Sequence, residues 1–327
     1  MDFTTKISIS KSKNPINYTS KIVLLGSCFA ENMAEKFEYF KFQNTVNPFG
    51  IIFNPVSIEK LISRVINNQE FTEIDIFFHN DLWHCYEVHS ELSNPNKQDF
   101  LRKLNSLVSE FHFQIIKSTH FQITYGTSWI YKLKSTNDVV ANCHKVPQIE
   151  FEKEILSVKT IEKSIEKSID LIQKVNPNCT ITFTVSPVRH LKDGFIENQR
   201  SKAHLITAIH KIINYPLSII TRAKGERNEV NYFPSYEIMM DELRDYRFYS
   251  DDMLHPSQQA INYIWEQFFL TQIKEEVFPT MQEVCNIQKG LAHKPFHPNS
   301  ESHQKFLEDI HKKINVVQKQ FPHIKFS

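Results

Sequence analysis

The sequence predicts an α/β protein built on a doubly wound parallel sheet, and three features carry that expectation. Short apolar runs of strand length recur at wide intervals, long stretches of helical periodicity lie between them, and neither an internal repeat nor a low-complexity linker breaks the alternation. Strands separated by helices need crossover connections, and those impose parallel pairing.

Taken in chain order, Lys21 to Leu25 is apolar enough for a strand buried on both faces. It ends at Gly26, and a helix with Phe29, Met33, Phe37 and Phe40 on one side follows as far as Phe42. Pro55 to Asn67 opens with a proline suited to a first helical turn and carries Val56, Leu61, Ile62, Val65 and Ile66. Ile74 to Val88 sets Asn80 and Asp81 between aromatic runs, which signals an inserted hairpin. Lys97 to Ile116 is amphipathic, and His120 to Tyr125 is a second core strand. Trp129 to Pro147 turns around Ser135 to Asp138 and reads as another inserted hairpin. A helix over Glu152 to Val175, a strand over Thr180 to Val185, a helix over Gln199 to Ile213 and a weaker strand over Val230 to Phe233 follow. A helix from Pro256 and a mostly helical tail beyond Phe278 complete the pattern.

Composition narrows the function. With 327 residues and 41% hydrophobic content the chain can bury a sizeable core. Lys and Arg number 38 against 37 Asp and Glu, so the net charge of +1 gives no field to gather nucleic acid or anionic lipid. No signal-peptide pattern opens the chain and no apolar run approaches bilayer length, so a cytoplasmic protein without a membrane partner is expected. Five widely spaced cysteines argue against a disulfide framework, and the lack of a CxxC pair argues against structural zinc. Only 6 glycines occur, where average usage of about 7% gives roughly 23. A glycine beside a polar cluster is therefore informative.

Two stretches carry candidate chemistry. "KIVLLGSCFAENM", residues 21 to 33, catches Ser27 and Cys28 in the turn between strand and helix. "YSDDMLHPSQQAINYIWEQF", residues 249 to 268, holds Asp252 and His255 three apart in the loop before a helix. A catalytic histidine needs a carboxylate to fix its tautomer and to stabilise the imidazolium, and this spacing provides one. Arg189 and His190 follow a core strand, where open α/β sheets place ligands; Arg189 has the planar fork that binds carboxylate or phosphate. His144 lies beside Asn142 in the second hairpin. His84 and His89 flank Cys85 in an aromatic strand, where packing explains them better than a metal, and the 26 phenylalanines read as core and pocket lining.

Together these stretches resemble the SGNH, or GDSL-type, hydrolase superfamily. The string GSCFA itself, with "VANCHKVP", "SPVRH", "NQRSKAHL", "NYFPSYEIMMDELRDYRFY" and "DDMLHPS", resembles the GSCFA family from about Lys21 to Phe306. The resemblance implies a three-layer α/β/α flavodoxin-like sandwich with a parallel sheet, inserted hairpins and a C-terminal helical extension. It divides the chain into a domain over residues 1–278 and an extension over 279–327 packed on or near it. Laid on the superfamily's G-D-S motif, the nucleophile's place falls to Cys28, with Ser27 one residue before it as the alternative. The superfamily's D-x-x-H motif falls on Asp252 and His255. A thiol at a helix N-terminus beside an imidazole is expected to have its pKa lowered from about 8.5 towards roughly 3.5–7.5.

In the superfamily's oxyanion hole, Gly50 of "TVNPFGIIFNP" fits the glycine's place. The segment that normally reads G-x-N-D is here "ITYGTSWIY", so either the Ser128 hydroxyl or Asn142 is expected to supply the missing donor. Arg189, His190 and His144 are the expected substrate contacts. The implied activity is hydrolysis or acyl transfer on an ester, thioester or acylated small molecule, including an acylated carbohydrate, through a covalent acyl-enzyme. No metal and no organic cofactor is implied. A ligand-binding protein on the same fold and a redox sensor using Cys28 are the rival expectations.

Overall fold

A computed structural model describes residues 5–214 and 229–326. Five parallel strands form the central sheet: β1 (Lys21–Gly26), β2 (Gln43–Val46), β5 (His120–Tyr125), β9 (Thr180–Val185) and β10 (Val230–Tyr232). Their spatial order is β10-β9-β5-β1-β2. In terms of these five strands this is the 2-1-3-4-5 order of flavodoxin-like folds, so the chain reverses its direction of winding between β1 and β5. Ligands of such sheets bind at the carboxyl ends of the strands beside that switch. Gly26 pairs with Thr124 there.

The two faces of β1 explain the three layers. Val23 and Leu25 point into one apolar cluster with Phe121, Ile123, Ile181 and Phe183. That cluster is covered by α2 (Pro55–Ile66), α3 (Lys97–Lys117), α4 (Val158–Val175) and α5 (Gly194–Asn214). Ile22 and Leu24 point the other way, against α1 (Cys28–Tyr39) and α7 (Gln258–Gln272) through Phe29, Phe37, Ile264 and Phe268. Between β10 and α7 the short helix α6 (Ser235–Glu237) runs on as a π-helical turn, Ile238–Leu243.

The tail helices α8 (Phe278–Ala292) and α9 (Glu301–Gln320) join the second cluster through Met281, Val284, Ile287, Ile310 and Val317. A Cβ at Gly290 would meet Ile310 Cδ1 at 2.5 Å, so α8 approaches α9 closely there. No helix among the described residues is long and apolar enough to cross a membrane.

Both inserted hairpins form. Strands β3 (Phe77–His79) and β4 (Leu82–His84) pair antiparallel, and Asn80 and Asp81 take φ of 47° and 61°, as a two-residue primed turn requires. Strands β6 (Trp129–Leu133) and β7 (Val139–Val140) are joined by a third, β8 (Phe151–Ile155), on the far side of β6. This corrects the helix expected from Glu152. Residues 152–155 alternate along a strand paired with β6, and the helix begins only after Ser157, whose Oγ accepts the N–H of Thr160 at 3.1 Å. Strand β2 went unread because QNTV is short and polar, as suits a sheet edge.

Candidate functional site

The site is assembled at the switch point between β1 and β5. Gly26 ends β1 with φ of 136°, and a Cβ there would lie 2.0 Å from the carbonyl oxygen of Thr124. Only glycine lets the two strand ends approach so closely. Its N–H donates to Asn47 Oδ1 at 2.8 Å, and Asn47 Nδ2 in turn donates to Glu31 Oε1 at 3.2 Å, so a side-chain bracket holds the turn into α1.

Ser27 and Cys28 divide their roles at the top of that helix. Ser27 is buried, and its Oγ accepts the N–H of Phe29 at 3.3 Å as the N-cap. Its hydroxyl is thereby committed to the helix. Cys28, the first residue of α1, is half-buried and free. Its amide belongs to the first helical turn, whose N–H groups have no intrahelical acceptor.

The expected low thiol pKa is corrected. Burial pushes the Cys28 thiol up and the Glu31 carboxylate adds to that. The Lys202 ammonium and the N–H groups of Phe29 and Cys28 pull it down, but by less than burial raises it.

Lys202 is the residue that the sequence reading missed. It lies on α5 with no exposed surface, and its Nζ donates to the carbonyls of Gly126 at 2.6 Å and Ser186 at 2.7 Å. These carbonyls lie just beyond the carboxyl ends of β5 and β9. Burial drives the pKa of Lys202 down to about 7, opposed by the charge of Cys28. A neutral amine keeps two N–H donors, one for each carbonyl. The signal was present in "NQRSKAHL": Asn198, Ser201, Lys202, Leu205, Ala208 and Ile209 share the buried face of α5, and a lysine on such a face is rare unless it has a task.

Asp252 and His255 form a well-made pair. His255 Nδ1 lies 2.6 Å from Asp252 Oδ2, while Asp252 Oδ1 accepts the N–H groups of Leu254 at 2.9 Å and His255 at 3.0 Å. Those two N–H groups and the imidazole hold the Asp252 carboxyl down at about 2. The turn is tied to the loop after β9, because Arg189 N–H donates to the Leu254 carbonyl at 3.1 Å. His190 follows Arg189 in the same loop and packs beside Phe53 and Gly126. Burial, then the charges of Lys202 and His255, lower its pKa to about 3, so it is neutral at physiological pH. Its ring lies 5.5 Å from that of Phe53, and a Cβ on Gly126 would come within 3.1 Å of its Nε2. That nitrogen has no partner among the described residues.

The other sequence-predicted residues are placed differently. Gly50, with φ of 75° and packed on His89, donates its N–H to the Asn47 carbonyl at 2.7 Å, so this donor is spent inside its own turn. Ser128 has no exposed surface; it donates its hydroxyl to the carbonyl of Ser201 at 3.2 Å and its N–H to Ser201 Oγ at 2.7 Å. It ties β6 to α5 and offers no hydroxyl to a ligand. Asn142 Oδ1 accepts the N–H of His144 at 2.8 Å, shaping the hairpin end.

His144 is buried among Phe77, His84 and Tyr86, with Nε2 2.7 Å from the Cys85 carbonyl, and burial lowers its pKa to about 4. His84 is bonded likewise, to Ser93 Oγ at 2.6 Å and the His79 carbonyl at 3.0 Å. Arg189 lays its guanidinium 4.1 Å from the centre of the Tyr249 ring, with Tyr246 and Phe195 further out. Its side chain thus braces the dyad's loop. Among the described residues no group of three or more His, Cys, Asp or Glu could hold a metal ion.

The solved structures that resemble the chain include a carbohydrate esterase family 3 protein from Talaromyces cellulolyticus, at 7% identity and a TM-score of 0.35, covering 81% of this chain and 99% of that one. They also include an acetyl esterase mutant, S10A, with acetate ion, at 11% identity, a TM-score of 0.35 and the same coverage. No curated protein matches the chain. The model of the GSCFA domain protein C-terminal domain matches residues 284–327, which hold α9 and most of α8. The GSCFA family model matches residues 21–268, from the first residue of β1 to within α7, and the chain belongs to the GSCFA family.

Proposed function

We propose that this protein is an acyl hydrolase or acyltransferase that works through a thioester on Cys28. The observation that carries the reading is the Asp252–His255 pair at 2.6 Å, tied through Leu254 to Arg189 in the loop after β9, at the same carboxyl edge of the sheet as Cys28 after β1. A pair so oriented holds Nδ1–H on the carboxylate and leaves Nε2 to accept a proton.

The steps follow from these groups. Cys28 Sγ attacks the acyl carbon as its proton passes to His255 Nε2, and Asp252 stabilises the imidazolium. Because burial favours the protonated thiol, this transfer accompanies attack instead of preceding it. The oxyanion is held by the Cys28 N–H at the positive end of α1 and by His190, a neutral imidazole whose Nε2 is unpartnered among the described residues. A neutral histidine is the form suited to that donation. The tetrahedral adduct collapses, His255 returns its proton to the leaving oxygen or sulfur, and the acyl group stays on Cys28. Water, or a second acceptor, then gives its proton to His255 and attacks the thioester; the second adduct collapses and His255 returns the proton to the departing sulfur, restoring the Cys28 thiol. Lys202, when protonated, opposes the burial cost of negative charge on sulfur.

Short p-nitrophenyl esters test this in a stopped-flow burst experiment. Wild type is expected to release about one equivalent of nitrophenol per chain in the burst, and Cys28→Ala and His255→Ala to release none. A burst that persists in Cys28→Ala overturns the assignment.

A further inference from the structure

Beside the candidate site the hairpin sheet and the turn before α2 enclose a cleft of about 120 Å³. Phe53, Trp129, Ile130, Tyr131, Val140 and Ala141 give it walls that are mostly carbon. His190 is also part of its lining, so the imidazole assigned to the oxyanion stands in the cleft wall.

Several of the cleft's polar side chains are already occupied. Asn54 caps α2, accepting the Ser57 N–H at 2.8 Å and donating to Ser57 Oγ at 2.9 Å. Thr127 Oγ1 lies 2.8 Å from Ser201 Oγ and accepts the Trp129 N–H at 3.0 Å. Lys153 is paired with Asp193 and lies 5.1 Å from the centre of the Trp129 ring. A polyol would find few free hydrogen-bond partners here, and of the two lysines in the lining Lys153 is already paired with Asp193. Apolar chain atoms lose nothing of that kind on entering.

We propose that this cleft binds a short unbranched acyl chain, about four to six carbons long, as the acyl part of the substrate. The proposal rests on the acyl-transfer reading given above. The size follows from volume: an apolar cavity of about 150 Å³ accepts benzene. A six-carbon chain therefore approaches the limit of the 120 Å³ here. A longer chain would protrude past Lys192, which sits at the mouth 5.3 Å from the centre of the Tyr131 ring.

Calorimetric titration of the Cys28→Ala protein with acetate, butyrate, hexanoate and decanoate tests this without needing turnover. Affinity is expected to rise at least tenfold from acetate to hexanoate, the ceiling being about fourfold for each fully buried methylene, and to gain nothing further at decanoate. Ala141→Phe in the same background should weaken hexanoate at least tenfold. As a readout independent of that variant, intermolecular NOEs should join the hexanoate chain to the Val140 methyl groups.

Equal affinity for acetate and hexanoate overturns the proposal, and so does hexanoate that binds without NOEs to Val140. Hexanoate seated in the cleft while wild type acylates with no ester upholds the cleft and removes the acyl-enzyme reading. Turnover with a flat chain-length profile and no hexanoate binding does the reverse.

Discussion

His255 Nδ1 sits 2.6 Å from Asp252 Oδ2 while both remain about half exposed, at 48% and 45% of their side-chain surface. In so open a position the Coulomb attraction of a surface pair is small. What fixes the geometry is the backbone: the N–H groups of Leu254 and His255 both bind Asp252 Oδ1. The carboxylate is therefore set in place by its own turn and orients the imidazole from there.

Asp252→Asn keeps an oxygen for the two backbone N–H groups but loses the carboxylate that selects the histidine tautomer. The acylation rate is expected to fall by about 10³–10⁴-fold with an unchanged melting temperature. A loss of less than tenfold in single-turnover kinetics removes Asp252 from the mechanism. Because its carboxyl is held near 2, Asp252 stays ionised through the acid range, and no step in the rate profile between pH 3 and pH 6 should trace to it.

Ser27 and Cys28 are separated by a stability measurement. Ser27→Ala deletes the cap of α1 and should cost about 1 kcal/mol in denaturant unfolding while the protein still acylates. Acylation lost in Ser27→Ala but kept in Cys28→Ala would move the nucleophile back by one residue.

Much of this site was legible in the sequence, and the remainder was hidden for physical reasons. The strand, glycine and helix around Cys28 and the spacing of Asp252 and His255 are local patterns, and local patterns fix turns and caps. The surroundings of the expected oxyanion donors are not local. Gly50 was expected as a donor because it falls at the glycine's place in the superfamily's oxyanion hole, yet its N–H is taken by the Asn47 carbonyl. Ser128 looked available because a hydroxyl is a donor, yet its partner, Ser201, is 73 residues away on α5. The thiol's acidity was misjudged because the sequence displays the helix terminus but not the burial, which is the larger effect. Lys202 was passed over because its carbonyl partners belong to other segments, next to β5 and β9.

Lys202 makes stability depend on pH with a definite sign. Its pKa is lowered on folding, so between about pH 7 and its ordinary value near 10.5 the unfolded chain carries the extra proton. Stability from this group therefore rises with pH across that window, by up to about 1.4 kcal/mol per unit. Cysteine and tyrosine groups raised by burial act in the opposite sense above their ordinary values. The comparison is thus wild type against Lys202→Met: the difference in unfolding free energy should shift towards wild type from pH 7 to pH 10, and a pH-independent difference refutes it.

Gly126 tests the placement of His190. A Cβ at this position would lie 2.8 Å from Phe53 Cβ and 3.1 Å from His190 Nε2. Gly126→Ala should displace the imidazole and reduce acylation by about 10²–10³-fold, the cost of one oxyanion donor. His190→Ala should lose a similar amount and, combined with Gly126→Ala, lose little more. Additive losses would show that the two act separately.

The central claim is that the acyl group is carried by Cys28, and the most direct measurement is the mass of the acylated protein. Wild type quenched in acid during a single turnover with p-nitrophenyl butyrate should gain one butyryl mass. Proteolysis should place it on the peptide containing Cys28, and neutral hydroxylamine should remove it as it removes thioesters. An adduct mapped to Ser27 or elsewhere, or the same adduct formed by Cys28→Ala, would contradict the account.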